Sequence, residues 1–220
     1  MKKLRVGVIL SDVNVPAWVA RMLERIRDSS HAKIIVLAFI GDLKIVSDLG
    51  NELSELHLQM DQDVLHPDPN PWEQCDVRTV LPNAPLLHGE PSKWNFLLKH
   101  ADLDIFLNLS QELVPDSILH VTHYGIWSLR SHNKRVTTST GMNWFDLNQN
   151  GSLIHCAVEA QRGLSIQVVA KTVVPANRFS FMKNQKSLLW IASSLLPDAI
   201  KQLYLNGESE FFTCTEIILN

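Results

Sequence analysis

His120 and His123 stand three residues apart, a spacing at which two imidazoles meet on one helix face and hold a metal ion. No carboxylate accompanies them at ligand spacing, so the pair reads as structural or solvated histidines and no metal site is expected. Cys75, Cys156 and Cys214 are widely spaced, odd in number and free of any Cys-x-x-Cys pair. That pattern argues against a disulfide framework and a thiolate zinc site, and fits a reducing cytosol. The opening segment LRVGVIL invites a dinucleotide site, but SDVNVPAW follows it where a glycine fingerprint would stand. No tight turn can then bring backbone N–H groups onto a pyrophosphate. A Gly-rich loop ending in Gly-Lys-Ser/Thr and a Gly-x-Ser-x-Gly elbow are absent as well, which removes the P-loop and the common hydrolase nucleophile.

The elements that must carry any site alternate regularly. LRVGVIL is β-branched and almost continuously apolar, as a strand covered on both faces would be. A helix is expected from about Pro16 to Arg27, with Val19, Met22, Leu23 and Ile26 at helical spacing and Asn14 or Ser11 as cap. KIIVLAFIG supplies the next buried strand, and strand, helix, strand in this order argue for a parallel sheet with a crossover helix. The stretch 61–91, rich in Pro, Asp and Asn, reads as a long surface connection with one short strand near Cys75 to Val80. A helix from Ser92 to His100, the strand DIFLNLS, a helix at Pro115 to His120 and the strand GIWSLR continue the α/β alternation. Residues 131–151 read as a polar loop with a helical turn near Trp144 to Leu147. SLIHCAVEA and SIQVVAKTVV then form two adjacent strands, and a helix from Asn184 to Tyr204 is kinked or divided at Pro197. The whole reads as one domain over 1–220, with its core in 1–203 and a C-terminal strand or extension in 204–220.

Charge and length narrow the partners. The 220 residues carry 20 Lys+Arg against 23 Asp+Glu, a net charge of -3, which gives no bulk field for nucleic acid or an anionic membrane. The basic head of MKKLRVGVILSD precedes an apolar run too short for a signal peptide. No stretch approaches the roughly 18 apolar residues of a membrane span. A soluble, unprocessed cytoplasmic protein is expected.

Four segments, ILSDVNVPAWVARMLERI, LHPDPNP, DLDIFLNLS and HYGIWSLRSHNKR, stand in an order that resembles the folate-dependent formyltransferases. The resemblance is nearest to a branch of formyltransferase-like proteins related to the N-terminal region of glucosamine inositolphosphorylceramide transferases. It covers the chain to about Leu203 and implies a Rossmann-like α/β fold, with a mostly parallel twisted sheet flanked by helices. It also implies a chemistry, in which an amine attacks the formyl carbon of 10-formyltetrahydrofolate and a tetrahedral oxyanion must be stabilised. The main family does this with an Asn-x-His motif at a strand end and an Asp before a later glycine.

In this chain the Asn-x-His slot falls on Ser128, Leu129 and Arg130. The donor amide has become a hydroxyl and the imidazole a guanidinium, which with a pKa above about 12 cannot shuttle a proton near neutrality. His132 would share a face with Ser128 and Arg130 if the strand stays extended, displaced by about 6.5 Å along it. Between Gly151 and Pro175 the only carboxylate is Glu159, and Gln161 and Arg162 hold the place before Gly163. Glu159 and His155 would project to one strand face as a substitute pair, or simply lie on a partly exposed face. The resemblance also places Ser11, Asp12, Asn108 and Ser110 at the rim of the donor pocket, where each has a simpler role as a cap or turn former. Trp127 reads as core, and Trp144 as the tryptophan that lines the cleft.

Two functions follow. The first is a formyltransferase-like protein with a degenerate motif, its transfer altered or lost, that binds a small-molecule ligand or a partner. The second is an active 10-formyltetrahydrofolate-dependent N-formyltransferase for an amino sugar or small amine, with His132 as acid/base and Ser128 and Arg130 at the oxyanion. The tail FFTCTEIIL supplies one strand or a homo-oligomer edge but no oligonucleotide-binding barrel, so a transfer-RNA acceptor is not expected.

Overall fold

The strand β1 (Leu4–Leu10) is buried along almost its whole length because it lies at the centre of a sheet with helices on both faces. It pairs in parallel with β3 (Ala32–Phe39) on one side and with β6 (Ile105–Asn108) on the other. The protein is described by a computed structural model for residues 2–40, 70–89, 93–131, 134–138, 153–177, 180–213 and 216–218. Val6, Val8 and Leu10 enter one core with the buried face of α1 (Ala17–Arg27), namely Trp18, Val19, Met22, Leu23 and Ile26. Ile9 enters a second core on the opposite face with Phe106, Trp94, Leu98 and Ile118. Burial on both faces is what makes the strand sequence continuously apolar.

The sheet continues in parallel from β3 to β5 (Leu86–Leu87) at one edge and from β6 to β7 (Ile126–Ser131) towards the other. Beyond β7 the direction reverses. β9 (Leu153–Arg162), β10 (Ser165–Pro175) and β11 (Glu216–Ile218) follow in antiparallel order, and the short β8 (Lys134–Val136) also pairs antiparallel with β7. The sequence of strands across the sheet is β11-β10-β9-β7-β6-β1-β3-β5. The expected parallel α/β core is present, the tail does add a strand at an edge, and β8 is an element that the polar composition of 131–151 concealed.

Three local expectations are corrected. The segment Cys75 to Val80 is not one strand. Gln74–Asp76 forms β4, paired with β2 (Asn14–Pro16), and Val77–Val80 forms a helical turn, α2, because the Asp76 carboxylate accepts from the Arg78 N–H at 2.8 Å and caps it. The N-terminus of α1 takes no side-chain cap from Ser11 or Asn14. Its first N–H groups are bonded instead by the carbonyls of Glu73 (2.7 Å from Ala17 N) and Pro71 (3.3 Å from Trp18 N). With those donors used, the N-terminus offers no cradle for a phosphate.

The third correction concerns the long helix α5 (Phe181–Thr213), which runs through Pro197 and departs from helical geometry at Gly207 (φ 75, ψ 172). Leu196, Ala199 and Ile200 are buried around Pro197, and Asp198 pairs with Arg25 of α1 at 3.3 Å. That packing outweighs the lost backbone hydrogen bond. The turn at Gly207 lets Phe211 stack flat on Trp127, with ring centroids 5.8 Å apart. Gly207→Ala should destabilise the protein by about 1–3 kcal/mol, the usual cost of holding a non-glycine residue in that region, read as a lower urea midpoint at unchanged m-value. Two shorter helices, α3 (Asn95–Ala101) and α4 (Asp116–Leu119), bring Leu98, Ile118 and Leu119 to the second core. Among the described residues no helix is long and apolar enough to cross a membrane.

Candidate functional site

The carboxyl ends of β1, β6 and β7 open on one rim of the sheet, where folds of this kind place their ligands. At the end of β6, Asn108 and Ser110 are almost wholly buried, 1% and 0% exposed. The Asn108 Oδ1 accepts from the Ser110 N–H (3.0 Å) and hydroxyl (2.7 Å), and its Nδ2 donates to the Glu112 carbonyl (3.0 Å). Both side chains are therefore engaged inside the turn they form, and they shape the rim. Asp12 behaves in the same way at the end of β1, where its Oδ1 accepts from the Asn14 N–H at 2.9 Å and Ser11 lies half-buried beside it.

The end of β7 differs. Its start is set by Gly125, whose positive φ of 83 allows the chain to pass against the Gln161 carbonyl of β9. Ile126 then pairs with Gln161, Ser128 with Glu159 and Arg130 with Ala157. Side chains alternate along a strand, so Ser128 and Arg130 leave the face of Ile126 and the second core, while Trp127 and Leu129 are fully buried in the first. The core reading of Trp127 holds. Glu159 projects between Ser128 and Arg130, and its Oε2 lies 2.7 Å from the Arg130 Nε. The Nε–H is not aligned on that oxygen, so charge holds the contact more than a directed hydrogen bond does.

Arg135, which sequence reasoning did not single out, completes the cluster. β8 pairs Arg135 directly with Arg130, and its Nη1 donates to the Glu112 carbonyl at 3.3 Å, the same atom that receives Asn108 Nδ2. The one signal for it was the alternation Leu129, Arg130, Ser131 resumed by Lys134, Arg135, Val136 across a polar Asn-containing step. Burial pushes the Glu159 carboxyl above its ordinary range, and the Arg130 and Arg135 guanidiniums offset part of that rise. Burial, and then the facing Arg130, holds Arg135 below the usual arginine range.

The remaining candidates separate from this cluster. Glu159 does not pair with His155: the two lie four residues apart on one strand, about 13 Å, His155 is exposed and Glu159 is buried. The isolated Glu in a mixed strand gave no sign of that burial. The place before Gly163 lies at the amino end of β7, because Ile126 pairs with Gln161. There Arg162 pairs with Glu208 at 2.7 Å and covers the Phe212 ring at 4.8 Å. His132 and Trp144 lie outside the described residues. β7 ends at Ser131, which pairs with Lys134 of β8. His123 sits at the other end of the sheet, 3.7 Å from Asp102. Among the described residues no three His, Cys, Asp or Glu side chains converge as a metal set. The Cys156 thiol is pushed up to about 12 by burial and supplies no thiolate nucleophile near neutrality.

This strand order, with helices on both faces and an open rim of parallel strand ends, is a Rossmann-like α/β fold shared with solved formyltransferase structures. The particular similarities are to solved structures. Glycinamide ribonucleotide transformylase 1 from Symbiobacterium toebii matches at a TM-score of 0.57 and 13% identity, over 94% of this chain and 92% of that one. Phosphoribosylglycinamide formyltransferase from Brucella melitensis matches at 0.58 and 12%, over 95% and 100%. A formyltetrahydrofolate deformylase from Pseudomonas syringae pv. tomato str. DC3000 matches at 0.58 and 11%, over 100% of this chain and 67% of that one. At such identities the likeness establishes the fold. No family model and no curated protein matches the sequence.

Proposed function

We propose that this is a formyltransferase-fold protein that binds a small-molecule ligand at the carboxyl end of β7 and has altered or lost formyl transfer. The observation that carries the reading is the Arg130–Glu159 contact of 2.7 Å at the strand end. A guanidinium stays charged across the physiological range and cannot relay a proton, and the Glu159 carboxylate beside it is already engaged by it. The residues present do not suit 10-formyltetrahydrofolate as a reacting donor: Arg130 stands where the family's motif has a histidine, and the Asn108 amide at the end of β6 is engaged by Ser110 and Glu112. On β7 itself the neutral donor left for an oxyanion is the Ser128 hydroxyl, where the family's motif has an amide. The reading keeps a cytoplasmic location without nucleic-acid or membrane partners, supported by the net charge of -3 and by free Cys75 and Cys156.

A second reading, an active N-formyltransferase for an amino sugar or small amine, draws support from Glu159, a carboxyl that burial raises above its ordinary range and that pairs across the ladder with Ser128. Purified protein incubated with 10-formyltetrahydrofolate and a panel of amino sugars separates the two. Calorimetric binding with no formyl product above the protein-free control is expected. Turnover that Glu159→Gln abolishes would establish the second reading instead.

A further inference from the structure

The β9–β10 hairpin turns beside the amino end of β7, at the opposite end of the sheet from the ligand rim. Its register sets Arg162 opposite Ser165, so Gly163 and Leu164 alone make the loop. Gly163, at φ 60, takes the place that needs glycine, and the second place of such a turn is ordinarily Asn, Asp or Ser. Here it is Leu164, 98% exposed, the most exposed large apolar side chain among the described residues. The Ser165 hydroxyl donates to the Arg162 carbonyl at 2.9 Å and closes the turn. Leu164 is thus held outwards on a fixed tip and packs on almost nothing in its own chain.

Beside the tip lies a wide-mouthed hollow of about 540 Å³, lined by Arg162, Glu208, Ser209 and Phe212. Its apolar wall is the Phe212 ring, which the Arg162 guanidinium covers at 4.8 Å and Tyr124 stacks on at 6.2 Å. At its mouth Arg162 meets Glu208 at 2.7 Å, and both side chains remain partly exposed. A knob and a hollow therefore stand two residues apart on one surface. Such a surface is self-complementary, because a two-fold axis between them sets each knob over the other copy's hollow. The charges suit a second copy as well: the same axis turns each guanidinium towards the other copy's carboxylate, whereas a partner of one sign would be attracted by one of these groups and repelled by the other.

We propose that this face pairs two copies of the chain, each inserting Leu164 of its hairpin tip into the hollow beside Phe212 of the other. The pairing is independent of any ligand at the end of β7. One leucine tip and its polar surround fall short of the roughly 1,200–2,000 Å² of a standard interface, so the dimer belongs to the weak, concentration-dependent class.

Sedimentation equilibrium of the full chain, from about 5 to about 500 μM at constant ionic strength, reads the pairing. The weight-average mass is expected to rise with concentration towards twice that of the monomer. Leu164→Ser removes the knob and should raise the dissociation constant by about tenfold or more. Ser209→Trp fills the hollow, leaves the knob in place and should raise it by a similar factor. Leu113→Ser alters another exposed leucine, 82% exposed and on the ligand rim, and should leave the constant within about twofold. A chain that stays monomeric at every concentration overturns the proposal, as does a dimer that Leu164→Ser leaves intact or that Leu113→Ser weakens equally. A dimer that responds to Leu164→Ser but not to Ser209→Trp overturns the seating in the hollow. Because Leu164 lies outside the packed structure, its variant decides the matter even if Ser209→Trp fails to fold.

Discussion

Gly125→Ala is expected to lower stability by about 3–5 kcal/mol, a large share of the roughly 5–15 kcal/mol that a domain possesses. Two effects combine. The residue holds φ at +83, where a Cβ meets its own backbone, and the Cβ would also lie 2.2 Å from the Gln161 carbonyl oxygen of the neighbouring strand. A flexible side chain could swing away from such a contact, but a carbonyl in a ladder cannot move without carrying β9 with it. The same glycine accepts from the Phe106 N–H at 3.2 Å, so β6 is also anchored at this point. Gly207→Ala is the control, since Gly207 too has positive φ but open space around it. Urea titrations should show a clearly greater loss for Gly125→Ala. Equal losses would mean that β7 and β9 separate easily and that the register of Ser128 on Glu159 is loosely held.

That register explains what the sequence could and could not convey. LRVGVIL, KIIVLAFIG, DIFLNLS and the face of α1 are legible because burial on both faces, or at helical spacing, writes itself into residue type. Other features depend on contacts between distant segments. The N-terminus of α1 is capped by backbone carbonyls from more than fifty residues away, which no side chain in Ser11–Asn14 announces. The helix α5 keeps Pro197 because packing on α1 exceeds a local penalty that sequence reasoning counts alone. At the candidate site, Ser128 and Arg130 were legible only through the family resemblance, which sets its motif at a strand end. The partner of Arg130 was not, because it comes from β9 through a pairing set by Gly125, and Arg135 comes from a strand hidden in a polar stretch.

Arg130→Met should show how that cluster is balanced, through a loss of stability that depends on pH. Methionine retains most of the apolar stem packing, so the variant chiefly removes the charge beside Glu159. Glu159 is only 8% exposed, and its carboxyl already stands above its ordinary range because of burial. Without Arg130 the folded-state value rises further, while the unfolded value stays near about 4.3. A carboxyl raised on folding stabilises the native state only where it is protonated. Below the unfolded value wild type and variant should therefore be nearly equally stable. The difference opens as pH rises through the wild-type folded value, itself above the unfolded one, and levels off once pH passes the still higher value of the variant, at about 2–3 kcal/mol; this is less than a fully buried pair would lose, because Arg130 is partly solvated. Arg135 limits the loss further, as it remains near the carboxylate and is relieved of its facing cation. In the Arg130→Met, Glu159→Gln double variant the pH dependence should vanish, since no group is left there to titrate. Denaturation midpoints from pH 4 to 8 measure this directly. A loss of the same size at every pH would show that Arg130 acts through its packing and that the Glu159 carboxylate is solvated well enough to stand without it.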